Sequence, residues 1–213
     1  MAIVFPQLVQ ADNPIPGTLN LYDRGGGLIY DADLNITWLQ EPNNTRMTWD
    51  EAMYWAQNLV VNVNGIPVTG WRLPATIDAP EAWGYDGTTS TGWNITSSEM
   101  GHLFYAELGN SGLYDIYGNE DLPYRDELVN KGPFTNLQSD YYWTNTRYSL
   151  TTYQAWIFYF TDGSQQIKNV ISPYFALAVH DGDVAVPEPT TMLLLGLGLM
   201  GLVGFRRKLK DLI

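Results

Sequence analysis

Gln154-Ala155-Trp156-Ile157-Phe158-Tyr159-Phe160-Thr161-Asp162-Gly163-Ser164-Gln165-Gln166-Ile167 reads as a β-hairpin. Asp-Gly between two strand-like runs signals a chain reversal, because both residues tolerate the positive φ that a tight turn needs. The first arm, Gln154 to Phe160, is apolar at successive positions rather than alternate ones. Such a strand buries both faces and belongs in the middle of a sheet. On either side, Tyr141-Tyr142-Trp143-Thr144 and Tyr174 to His180 supply further strands, so the final third of the domain is β.

Upstream the pattern mixes strand and helix. Leu28-Ile29-Tyr30 and Ile36-Thr37-Trp38-Leu39 are short strands flanking a turn-rich Asp31–Asn35. Thr48-Trp49-Asp50-Glu51 is a capping box, which opens a helix carrying Trp49, Ala52, Met53, Ala56, Leu59 and Val60 on one stripe. Thr96 to Glu99 repeats the spacing, and its helix passes through Met100, Leu103, Phe104 and Leu108 to stop at Gly109. Long loops over 75–95 and 110–132 complete residues 12–185, which show no internal repeat. The expected fold class is α+β, with two main helices packed on short antiparallel sheets.

Composition narrows the function. The chain has 213 residues, 11 Lys+Arg against 23 Asp+Glu and a net charge of -12. Four of the bases (Arg206, Arg207, Lys208, Lys210) lie at the extreme C-terminus, so the domain itself is more acidic still. That field repels polyanions and leaves no basic stripe for nucleic acid. There are no cysteines, which removes disulfides, thiolate metal sites and a Cys nucleophile. Only His102 and His180 could serve as imidazole bases, and they lie far apart in sequence; no catalytic residue is predicted, and the chain is expected not to be an enzyme.

The C-terminus carries an address. Val186-Pro187-Glu188-Pro189 precedes an uncharged apolar run over 190–205, followed by Arg206, Arg207 and Lys208. As a helix, 190–205 would reach about 24 Å against roughly 30 Å of hydrocarbon, which suits a short transmembrane span. The basic cluster belongs on the cytoplasmic side, and the acidic body is then exported. These three ordered features over 186–210 resemble the PEP-CTERM sorting signal of Gram-negative bacteria. The resemblance implies an inner-membrane-anchored precursor, recognition by an exosortase, and transfer to the cell surface or extracellular matrix. At the other end, residues 1–11 close on Val9-Gln10-Ala11 and lack a basic n-region; they are expected to be the remnant of a signal peptide.

Residues 25–183 resemble the Lcl-type C-terminal domain, a bacterial module with a C-type-lectin-like fold related to formylglycine-generating enzymes. Gly27-Leu28-Ile29-Tyr30, Thr48-Trp49-Asp50-Glu51, the Gly70-Trp71-Arg72-Leu73-Pro74 box, Tyr142-Trp143, and Trp156 with Asp162-Gly163 carry it. The enzymes of that fold depend on cysteines that are absent here, so the resemblance implies ligand or partner binding through long loops. Trp71, Trp143 and Trp156 read as core, and Arg72 as a structural residue that pairs with a buried carboxylate or bonds loop carbonyls. Trp83, Tyr85 and Trp93 are the candidate ligand-facing aromatics. Asp115, Asn119, Glu120, Asp121, Asp126 and Glu127 are the candidate oxygen ligands should calcium bind, and no other cofactor is expected. The expected function is adhesion to neutral polysaccharide or a surface protein in the biofilm matrix. A structural matrix component without a discrete ligand, or a secreted enzyme, is the alternative.

Overall fold

The computed structural model describes residues 13–120 and 128–184. β1 (Leu21–Gly25), β2 (Leu28–Asp31) and β3 (Ile36–Leu39) form an antiparallel meander. The turn between β2 and β3 lies where the sequence places it: Asn35 has a φ of 52°, and the Leu34 N–H donates to Asp31 Oδ1 at 3.0 Å. β4 (Asn43–Met47) leads into α1 (Trp49–Gln57). β5 (Val61–Val63) and β6 (Ile66–Val68) pair across Asn64-Gly65, both at positive φ, as a two-residue hairpin turn requires. β7 (Trp83–Gly84) and β8 (Thr91–Gly92) lie within the first long loop. α2 (Glu99–His102) runs straight into a π-helical turn over Leu103–Glu107. Five strands follow: β9 (Tyr141–Arg147), β10 (Gln154–Tyr159), β11 (Ser164–Asn169), β12 (Tyr174–Ala176) and β13 (Val179–Asp181).

These strands build a four-stranded sheet, β1-β2-β3-β13, and a seven-stranded one, β4-β12-β9-β10-β11-β8-β7. β10 is the middle strand of the larger sheet, as its two-sided apolar pattern requires. Ala155 and Ile157 face α1, where Ala52, Ala56, Leu73 and Trp143 are buried beside them. Phe158 and Phe160 face the opposite core, built from Leu21, Ile29 and Trp38 of the small sheet and Leu103, Phe104 and Leu108 of the π turn and its end. A third cluster packs Trp71 against Leu28, Val63 and Ala178. The β10–β11 reversal spans Phe160–Gly163: the Gly163 N–H donates to Tyr159 O at 2.8 Å, and Asp162 accepts from Ser164 N at 2.8 Å.

The expected α+β, C-type-lectin-like fold with two main helices is corrected by this architecture, which is mostly β. α1 has 9 residues and α2 has 4. α1 begins as predicted, with Glu51 accepting from Thr48 N at 2.9 Å, but it ends at Gln57. Beyond it the β-branched Val61 and Val63 enter β5, so Leu59 and Val60 are not helical. At α2 the Thr96–Glu99 spacing misleads. Glu99 is drawn away by Arg72, and Ser98 is the N-cap, its Oγ accepting from Gly101 N at 3.2 Å. The helix then widens, with Leu108 N donating to Leu103 O at 2.9 Å, before Gly109 turns the chain at a φ of 61°. Among the described residues no helix is long and apolar enough to cross a membrane. The predicted transmembrane helix 190–205 and the signal-peptide remnant 1–11 lie outside the described residues.

Candidate functional site

At the β7–β8 end of the long sheet, backbone constraints gather aromatic rings. β8 joins the sheet through Gly92 opposite Gln165. Gly92 has a φ of 109°, and a Cβ there would overlap the Gly84 carbonyl, so only glycine lets β7 lie against β8. Trp93 N then donates to Gly84 O at 3.1 Å. Asn94, at a φ of 59°, uses its amide to hold both sides of the site: Nδ2 donates to Tyr85 O at 2.7 Å and to Tyr114 O at 2.9 Å. The two long loops therefore converge.

Trp83, Tyr85 and Trp93 meet at this point, joined by Tyr114. Tyr85 stacks on Trp93 at 5.5 Å with planes 11° apart, Trp83 lies 5.7 Å from Trp93, and Tyr114 meets the Trp93 ring edge-on at 4.6 Å. Trp83 is 52% exposed and Tyr85 43%, so a half-buried ring supports two open ones. Tyr117, also exposed, stands on the neighbouring loop. Tyr114 and Tyr117 carry no local sequence signal that distinguishes them from core tyrosines.

Tyr105 fixes the platform from below. Its hydroxyl accepts from Asn94 N at 2.9 Å and donates to Gly163 O at 2.8 Å, tying the aromatic loop to the β10–β11 turn. Burial, chiefly, pushes this phenol above its usual range. Asp162 is raised by burial, against the opposing hydrogen bonds from the Ser164 hydroxyl and N–H. At the rim, the Trp83 indole donates to Glu81 Oε1 at 2.9 Å, and Asp86 is lowered by its hydrogen bonds from Thr88.

The candidate calcium ligands are not assembled by the described residues into an open shell. Asp115 Oδ1 accepts from Tyr117 N and Asn119 N at 2.9 Å each, and Oδ2 from Asn119 Nδ2 at 3.0 Å. These loop donors hold its carboxyl below the usual range, with the Asn119 side chain the largest contributor. Glu120 forms an isolated bridge with Tyr114 that closes this loop. Asp121, Asp126 and Glu127 lie outside the described residues.

The remaining sequence landmarks are structural in placement. Trp71, Leu73, Tyr142, Trp143 and Trp156 are buried. Pro74 O accepts from Asn145 N at 2.8 Å where β9 bulges opposite Trp156. The Trp156 indole donates to Asp78 Oδ1 at 2.9 Å. Arg72 bridges antiparallel to Val179 and grips Glu99 with two bonds, of 2.8 and 2.7 Å; Asp181 Oδ1 accepts two more, from Nε at 3.0 Å and Nη2 at 2.6 Å. His180 packs edge-on against Trp71 at 5.8 Å, remote in the fold from the aromatic platform.

A family model for the PEP-CTERM protein-sorting motif matches residues 185–208. The match contains Val186, Pro187, Glu188 and Pro189 together with Arg206, Arg207 and Lys208. It marks an exosortase-directed, secreted surface protein whose precursor passes a membrane. No curated protein and no solved structure matches the chain, and the Lcl-type resemblance of residues 25–183 gains no support from these comparisons.

Proposed function

We propose that the sorted domain is a non-catalytic binding module that holds neutral polysaccharide, or a glycosylated surface partner, in the extracellular matrix. The observation that carries this reading is the paired exposure of Trp83 and Tyr85 over a Trp93–Tyr114 support. Rings locked by neighbours lose little entropy on binding, and their flat faces suit the C–H faces of neutral sugars. The carboxylates of Glu81, Asp86 and Asp115 around the rings supply acceptors for hydroxyls and repel sulfated or uronic chains. The PEP-CTERM tail delivers such a module to the compartment where matrix polysaccharide is found.

Affinity electrophoresis through gels cast with neutral polysaccharides tests the reading. Retardation of the wild type is expected, with Trp83→Ala and Tyr85→Ala each weakening it roughly tenfold, the loss typical of a central aromatic contact. Both rings are exposed enough for the fold to survive, which circular dichroism checks. Absence of retardation on every neutral polymer and on a glycan array removes the sugar-binding role and leaves a matrix component without a discrete ligand.

A further inference from the structure

We infer that Asp31, His102 and Glu107 bind one divalent transition-metal ion of the Zn2+ type, clipping the four-stranded sheet to the second helix. Asp31 ends β2, His102 ends α2, and Glu107 ends the π turn. One ligand atom from each lies within 4.8 Å of the others. Glu107 is the decisive residue. Its side chain is 0% exposed, and its Oε2 accepts from Leu19 N at 3.1 Å and Asn20 N at 2.8 Å. Its Oε1 is buried without a hydrogen-bond partner and faces His102 Nε2 at 3.5 Å, an atom that is itself buried and unpartnered.

Unless His102 is protonated, these two atoms face each other without a hydrogen bond beside a second buried carboxylate, a costly arrangement that a shared cation would relieve. The surroundings are those of ligands already oriented. Leu34 N and the Trp38 indole donate to Asp31 at 3.0 and 3.1 Å, as Leu19 and Asn20 do to Glu107, so each carboxylate is aimed while retaining a lone pair for a metal. One imidazole nitrogen with carboxylate oxygens suits Zn2+ and its first-row neighbours better than Ca2+, which takes oxygen ligands alone. Tetrahedral ligands about 2.1 Å from zinc stand about 3.4 Å apart, close to the His102–Glu107 separation. Asp33 Oδ2, 3.8 Å from His102 Nε2 and 37% exposed, offers a further oxygen on the solvent side, where an ion would enter.

The competing arrangement is a protonated His102 serving as counterion to the carboxylates with no metal. Calorimetry on the untagged, chelator-treated full chain separates the two. One equivalent of Zn2+ should bind and raise the melting temperature by roughly 5–10 °C at a hundredfold excess over Kd. Glu107→Gln keeps an acceptor for Leu19 and Asn20 but loses a charged ligand, and should weaken binding at least tenfold. The chain has only two histidines, so His180→Asn, on the far strand β13, should leave binding intact. Co2+ in place of Zn2+ should give an intensified visible spectrum in the wild type. A spectrum like that of aqueous Co2+, no heat and no thermal shift with Zn2+, or equal binding by Glu107→Gln overturns the site, and the first two hold whether or not the variant folds.

Discussion

Gly163 shows how much one missing side chain can organise. At a φ of 77° a Cβ there would overlap Tyr105 Oη and come within 2.8 Å of Phe104 Cε1. Tyr105 cannot retreat cheaply, because its hydroxyl holds both Asn94 N and Gly163 O, and each lost bond costs about 1 kcal/mol. Gly182 has a nearly identical φ of 80° with nothing within 4 Å of its Cβ, so it isolates the backbone cost alone. Gly182→Ala should therefore lose about 1 kcal/mol, the penalty for a left-handed alanine, and Gly163→Ala about 3 kcal/mol. Urea unfolding of both variants measures the difference. Equal losses would mean that the Tyr105 hub yields without cost and does not hold the aromatic platform in place.

Arg72 dominates at the level of elements, because it joins three of them: the segment after β6 that bridges to β13, α2 through Glu99, and β13 through Asp181. The Glu99 side chain is 15% exposed and that of Asp181 78%, so water screens the second pair far more than the first. A double-mutant cycle should give a coupling of about 2 kcal/mol for Arg72–Glu99 and clearly less for Arg72–Asp181. Arg72→Lys should lose most of the larger value, since an ammonium cannot reproduce the two-pronged grip. Equal couplings would sink the distinction. The same ion pair explains a limit on what the sequence reveals. The Thr48–Glu51 spacing and the Asp162-Gly163 reversal are local devices, readable because their partners lie within a few residues. Thr96–Glu99 has the same local form, yet its carboxylate answers to Arg72, 27 positions away. β4, β7 and β8 carry little pattern of their own and exist as strands because the long sheet supplies their partners. Trp83, Tyr85 and Trp93 could be named as one-dimensional candidates, whereas the meeting of Asp31 with His102 and Glu107 depends on packing between distant elements and leaves no spacing signal.

For the whole molecule, the question is where the folded body stops and the sorting tail begins. The smaller sheet fixes the end of the body. Gly182 N donates to Asn35 O at 2.8 Å, Thr37 Oγ1 donates to Gly182 O at 2.8 Å, and Val184 N donates to Thr37 Oγ1 at 3.1 Å. Arg24 meets Asp183 at 2.8 Å and ties the first strand to the same exit. The matched motif starts at residue 185, immediately after the last of these contacts, with Pro187 and Pro189 close behind. A processing enzyme acting near Pro-Glu-Pro would thus cut C-terminal to these contacts, and among the described residues both cores flanking β10 are built from side chains between Leu21 and Val179. Removing residues 186–213 should leave the melting temperature within about 2 °C of the full chain, within the small range expected when no packed group is lost. The same deletion should abolish membrane association of the precursor and exosortase-dependent delivery to the surface, read by cell fractionation beside a Glu188→Ala variant. A large thermal loss on deletion would show that the tail is packed into the body, which is incompatible with a segment destined for removal.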